Sequence, residues 1–184
     1  YGTTGGNSRA NAQPMVVYHM NGGMALAHNG NLTNAAELRR ELELNGAIFH
    51  STSDTEVISY IITQERAKTP GFADAVLAAV DRIQGAYSLV ITSGEELVGV
   101  RDIHGFRPLC IGKLGGGYVF ASESCALDTV GAEFVRDVLP GEVVVAGRDG
   151  LRSIKDRCGA APHTLCVFEF IYFARPDSVV EGAS

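Results

Sequence analysis

Gly85-Ala86-Tyr87-Ser88-Leu89-Val90-Ile91-Thr92 is where the chain changes texture. Downstream, apolar residues fall in short β-branched and aromatic runs separated by Gly, Pro or charge, the composition of strands. Strands are predicted over 87–92, 97–101, 109–112, 118–121, 142–146 and 165–173, with a short helix over 124–130 among them. Upstream, apolar residues recur at helical spacing instead. A first helix is capped by Asn34, with Glu37 three residues on, carries Leu38 and Leu42 on one face and closes at Gly46. A second begins at Ser53-Asp54-Thr55-Glu56, buries Val57, Ile58, Ile61 and Ile62, and is barred from continuing by Pro70. A third is predicted over 72–84, with Val76, Leu77, Val80 and Ile83 inward and Gly85 ending it. Ahead of all three, apolar runs at 14–18 and 24–28 flank Asn21-Gly22-Gly23, a hairpin signal. Strands, then helices, then strands is not the alternation of a parallel α/β fold. It predicts an α+β fold of largely antiparallel sheet with segregated helices. Residues 149–163 have the weakest pattern and read as a loop-rich connection.

The 184 residues leave room for one domain, 1–184, with a sizeable core. Hydrophobic residues make up 46% and charged residues 20%, unlike a disordered chain. The net charge of −6, without a Lys/Arg run, argues against a nucleic-acid partner, because phosphate binding needs clustered positive charge. No apolar run reaches the roughly 18 residues of a membrane helix, and the Gly/Thr-rich start lacks the basic and apolar regions of a signal peptide. Cys110, Cys125, Cys158 and Cys166 form no CxxC pair. They read as reduced thiols, chiefly small buried hydrophobes, of a cytoplasmic protein. None has an activating base nearby, and the five histidines show no metal-ligand spacing. GxSxG, P-loop and GxGxxG patterns are absent.

Four segments have the residue types of a reacting site. In Leu26-Ala27-His28-Asn29-Gly30-Asn31-Leu32-Thr33-Asn34, Asn29-Gly30 has two readings. One is a turn at a strand end, since Asn-Gly tolerates positive φ. The other is an oxyanion hole. The Asn side-chain amide and the Gly backbone N–H would both point at a carbonyl oxygen that gains charge, each donor being worth roughly 10²–10³ in rate. Ser53-x-x-Glu56 reads as a capping box, with Asp54 favoured by the helix dipole, or as a carboxylate set to bind a substrate ammonium. Arg101, Asp102 and Arg107 read as charges that pair with one another around a Gly turn. The fourth segment is Phe168-Glu169-Phe170-Ile171-Tyr172-Phe173-Ala174-Arg175-Pro176-Asp177-Ser178.

Taken together, these segments resemble the glutaminase domain of the amidophosphoribosyltransferase family, within the class II, N-terminal-nucleophile glutamine amidotransferases. Ala27-His28-Asn29-Gly30-Asn31-Leu32, Ser53-Asp54-Thr55-Glu56, Arg101-Asp102-x-x-Gly105-x-Arg107-Pro108-Leu109, Ala121-Ser122-Glu123-Ser124 and Phe173-Ala174-Arg175-Pro176-Asp177-Ser178 carry the resemblance. Tyr1-Gly2-Thr3-Thr4-Gly5 looks like the tail of the family's Arg-Tyr-x-Thr segment. His-Asn-Gly alone marks only the wider class, which includes the glucosamine-6-phosphate and asparagine synthetase glutaminases. A domain of this fold without its nucleophile, serving as a glutamine-binding scaffold, is the non-catalytic alternative.

The resemblance implies a four-layer αββα sandwich of the N-terminal-nucleophile hydrolase type. It places Asn29 and Gly30 at the oxyanion hole, Asp54 on the α-ammonium of glutamine, Thr3 in the glutamine pocket, and His28 as support for the loop. Ammonia released from glutamine would be used on phosphoribosyl pyrophosphate, with Mg2+, to give 5-phosphoribosylamine for purine synthesis, in a homo-oligomer. The family's nucleophilic Cys and its carboxylate-gripping Arg would precede Tyr1, and its phosphoribosyltransferase domain would follow Ser184. These 184 residues alone are therefore expected to be inactive. Some members carry a 4Fe–4S cluster, in which Cys166 corresponds to one ligand of four. No cofactor is expected in this stretch by itself.

Overall fold

The computed structural model describes residues 4–94 and 96–182. Among the described residues, nine strands form two sheets, and every pairing is antiparallel. The large sheet has the order β1-β2-β3-β4-β8-β9, built from Met15–His19, Gly22–Leu32, Gly85–Ser93, Glu96–Arg101, Val143–Gly147 and Gly150–Ile154. The small sheet has the order β6-β5-β7, from Gly117–Ala121, Cys110–Leu114 and Glu133–Asp137. Helices α1 (Ala35–Leu44), α2 (Asp54–Arg66) and α3 (Phe72–Val80) lie on the large sheet, and α4 (Ser124–Val130) lies on the small one.

The period of two in the strands divides the apolar residues among three cores, and these cores define four layers. Leu89, Ile91, Val98, Val100, Val143 and Val145 face the helices and meet Leu38, Leu42, Val57, Ile58, Ile61, Ile62 and Val76. Val90, Val144 and Leu151, one residue out of phase, face the small sheet and meet Ile111, Tyr118 and Phe120. Cys110, Val119 and Ala121 face outward onto Leu127 of α4 and Ala132. The order helix, sheet, sheet, helix is the αββα sandwich that the resemblance implied. Between the sheets, a Cβ on Gly99 would lie 2.5 Å from the Phe120 ring, so the missing side chain of β4 is what lets that ring in.

Several local expectations fail for identifiable reasons. Asn29-Gly30 is not a turn: β2 runs through it and pairs Asn29 with Ser88 and Gly30 with Tyr87. Asn34 does not cap α1 with its side chain, which instead bonds Arg82 O and Gln84 N and ties α1 to the start of β3. Ser53 does cap α2 through Thr55 N. Its supposed box partner Glu56 turns back to His50 N, Ser51 N and Ser51 Oγ, so the reciprocal half of the box is absent. Helix α3 stops at Val80 rather than at 84. The predicted strand over 165–173 is a loop ending in a π-helical turn, Glu169–Phe173. Strands β7 and β9 were not foreseen; β9 occupies part of the expected loop over 149–163.

Gly99→Ala should destabilise the protein by about 1–3 kcal/mol, the usual cost of overpacking. A lower urea midpoint at an unchanged m-value checks this, and an unchanged midpoint would mean that Phe120 can move aside freely.

Candidate active site

Strand β2 presents the two faces of the site. Its even-numbered residues from Met24 to Leu32 are buried on the helix side, so His28 points toward the start of α2 while Asn29 turns to the opposite face. There Asn29 lines a cavity of about 830 Å3, within the usual range for a small-molecule site. The 4–13 loop roofs this cavity through Gly5, Asn7, Ser8, Asn11 and Gln13, and Arg107, Ser122, Glu123 and Glu169 form the far wall. Its lining is polar and carries both signs of charge, as a zwitterionic ligand needs. No cysteine lines it among the described residues.

Gly30 is buried, with φ +143, and does not line the cavity. A side chain there would collide with the Ala86 carbonyl oxygen and come within 2.8 Å of its carbon. The glycine is thus demanded by the approach of β3, whatever its backbone does toward a ligand.

Asp54 sits on the other side of β2, 4% exposed, at the first turn of α2. Oδ1 accepts the Thr4 hydroxyl at 2.6 Å and Oδ2 accepts Leu32 N–H at 2.9 Å. His28 Nδ1 lies 3.3 Å from Oδ1, too poorly aligned for a good hydrogen bond but close enough for charge attraction. Burial pushes the Asp54 pKa up. The His28 ring, the Thr4 hydroxyl and the Leu32 N–H together outweigh burial and hold it below the usual carboxylate value. Asp54 does not line the cavity, and Thr4 stands on the cavity-roof loop beside it. His28 does line the cavity, and its buried Nε2 has no hydrogen-bond partner. Thr3 lies outside the described residues.

Arg101, Asp102 and Arg107 do not pair with one another. Arg101, 2% exposed, donates to the carbonyls of Gly105, Arg107 and Val138 and pairs with Glu181 at 2.6 Å. Asp102 accepts N–H groups from Tyr87, His104 and Phe106, and burial still raises its pKa. This knot fixes the loop from which Arg107 reaches Glu169 at 2.6 Å and the Phe173 ring at 4.7 Å. Sequence reasoning missed Glu169, Gln13 and Ser88 as members of the site. Ser88 lies opposite Asn29 and donates to Arg107 O. Once strand register is known, register alone points to Ser88 and Gln13.

Cys110 and Cys125 are buried; burial pushes the Cys110 thiol up to about 12, so it is a packing residue and not a nucleophile. Cys158 and Cys166 are half-buried, less enclosed than expected. Among the described residues no three His, Cys, Asp or Glu side chains are grouped to hold a metal ion.

A strand-borne asparagine thus lines a cavity of mixed charge, with a buried carboxylate at a helix start on the other side of its strand. Residues 5–129 match the family described as a glutamine amidotransferase domain, and the chain belongs to that family. Among its relatives, the amidophosphoribosyltransferase of Synechocystis is 48% identical over 188 residues, covering 100% of this chain and 38% of that protein. The amidophosphoribosyltransferase of Archaeoglobus fulgidus is 42% identical and is covered to 40% of its length. The solved structure of glutamine phosphoribosylpyrophosphate amidotransferase from B. subtilis, complexed with ADP and GMP, superposes with a TM-score of 0.89 at 39% identity, over 96% of this chain and 38% of that one. The chain thus spans about two fifths of the length of these relatives. The fold is theirs, of the N-terminal-nucleophile type.

The lowered pKa of Asp54 makes its contribution to stability present above its unfolded value and lost as pH falls through the depressed folded one. Asp54→Asn should therefore be less stable than the parent at pH 7, with the gap narrowing below about pH 4. Urea midpoints at the two pH values check this; a gap that is the same at both would remove the charged carboxylate from the account.

Proposed function

We propose that this chain is the glutamine-hydrolysing part of an amidophosphoribosyltransferase. The observation that carries the reading is Asn29, held on a strand and lining a cavity whose walls carry both signs of charge. The similarity to proteins of that name supports the choice within the class.

In this reading glutamine lies in the cavity with its side-chain carbonyl oxygen toward Asn29 and Gly30. A cysteine thiolate from outside these 184 residues attacks the amide carbon. As the carbonyl becomes a tetrahedral oxyanion, the Asn29 N–H and Gly30 N–H take up the charge. The C–N bond then breaks, the nitrogen leaves as ammonia with the proton that the thiol gave up on ionising, and water hydrolyses the glutamyl thioester to glutamate and the free thiol. The α-ammonium reaches Asp54, which lies behind the cavity wall, by displacing the Thr4 hydroxyl from it. Thr4 donates one hydrogen bond to this carboxylate from the loop, and a ligand N–H can replace that donor without baring the charge. In a further domain the ammonia displaces pyrophosphate from phosphoribosyl pyrophosphate, giving 5-phosphoribosylamine, and Mg2+ and any cluster ligated by Cys166 belong to that larger assembly. The whole protein is a cytoplasmic homo-oligomer in this reading; no helix among the described residues is long and apolar enough to cross a membrane.

In the full-length protein, Asn29→Ala should lower kcat for glutamine hydrolysis by about 10²–10³ with the fold intact, because it removes a transition-state donor. Asp54→Ala should instead raise KM for glutamine. An Asn29→Ala enzyme with full glutaminase activity would reduce Asn29 to a strand residue. Intact glutaminase without glutamine-dependent pyrophosphate release from phosphoribosyl pyrophosphate would move the protein to another class II enzyme.

A further inference from the structure

The ladder between β1 and β2 runs from His19↔Gly22 to Met15↔Leu26. Continued in the same register, Gln13 stands opposite His28. The backbone ladder ends at Met15, and the chain leaves it through Pro14 into the loop over the cavity. The side chain of Gln13 takes over the rung. Its Oε1 accepts His28 N–H at 2.5 Å and its Nε2 donates to His28 O at 3.0 Å. A primary amide carries the donor and acceptor of a peptide group, so it can replace one residue of a strand. The two His28 groups also fix which way round the amide lies. Nε2 further reaches Thr55 Oγ1 at 3.4 Å, next to Asp54 in the first turn of α2. Gln13 itself is exposed, so packing gives no reason for a glutamine at this place, whereas the paired bonds to one residue do.

We propose that Gln13 is a positioning residue for Asn29, acting through the backbone of His28; this rests on the oxyanion reading of Asn29. The backbone of His28 faces Gln13, so by strand alternation that of Asn29 faces β3, where Ser88 is its partner. Asn29 is thereby pinned between a strand on one side and a side-chain amide on the other. Without Gln13, β2 has an unpaired edge at the residue before the oxyanion donor. A shift of about 1 Å in a reacting group can cost about 10² in rate. The loss would fall on kcat, because the donor matters most when charge has developed, and glutamine binding through Asp54 is left in place.

The test is glutaminase kinetics on the full-length protein with Gln13→Ala and Gln13→Glu, each alone and combined with Asn29→Ala. Gln13→Ala should lower kcat by about 10–10² with KM for glutamine nearly unchanged. Gln13→Glu fills the same space and keeps the acceptor for His28 N–H, but it sets a carboxylate oxygen against His28 O, so it should be impaired as well. In the Asn29→Ala background neither change should cost much more, since a residue that acts through Asn29 has nothing left to position. A fully active Gln13→Glu, or a loss that persists undiminished beside Asn29→Ala, overturns the role. An impaired Asn29→Ala with an unimpaired Gln13→Ala overturns the role of Gln13 alone. A fully active Asn29→Ala overturns the oxyanion reading and this inference with it.

Discussion

Strand β2 can lie against β3 along its whole length because two glycines face the opposing backbones at the far end of the pair. A Cβ on Gly30 would strike the Ala86 carbonyl, and one on Gly85 would strike the Asn31 carbonyl and lie 2.8 Å from Leu32 Cα. Both glycines have φ in the region that L side chains avoid, +143 and +134. Close approach at this end is what extends β2 through Asn29 to Leu32. The cavity face of Asn29, the helix face of His28 and the Leu32 N–H that binds Asp54 all follow from that extension. A side chain at either glycine would open the end of the sheet that carries the site.

The three cores meet their limits near this end, and there the interior is polar. Polar burial is costly unless every group is paired. The 101–107 loop meets that demand mainly with backbone: Arg101 serves three carbonyls and Asp102 serves three N–H groups. Glu169 in turn reaches Arg107 from the π-helical turn. Two segments of the cavity's far wall, over sixty residues apart, are therefore joined by one ion pair. Removing one partner from a buried pair of this kind typically costs about 3–5 kcal/mol, because the other charge is stranded.

The layers were legible because strands with period two and helices with an apolar stripe cannot hide their faces. Val57, Ile58, Ile61 and Ile62 are all buried as read, and the blocks from Tyr87 to Ala121 are strands as read. What escaped lacks such a face. In β7, Phe134 and Val135 are adjacent and both exposed, and β9 offers only Leu151 and Ile154 against polar neighbours; both are sheet edges. The 165–173 run is apolar without a period, and Phe168, Phe170, Ile171 and Tyr172 stay exposed, so hydrophobicity there was never a sign of burial. Asn34 and Glu56 were read as local caps, but each found partners outside its helix, which spacing within a helix cannot foresee.

The site divides along the same line. Asn29 and Asp54 were visible as short motifs, since a motif is local; Gln13, Ser88 and the Arg107–Glu169 pair exist only once the strands have their register and the chain its topology. This division matches what each part has to do. An oxyanion donor works by already being in place when charge appears, so it belongs on a strand fixed from both edges. A substrate must also enter and leave, which needs groups that can let go. Those are on the 4–13 loop, where Thr4 holds Asp54 through a single hydroxyl and Asn11 holds Thr52 through its amide. The loop releases Asp54 at the expense of one hydrogen bond, whereas moving Asn29 requires breaking the ladder to β3.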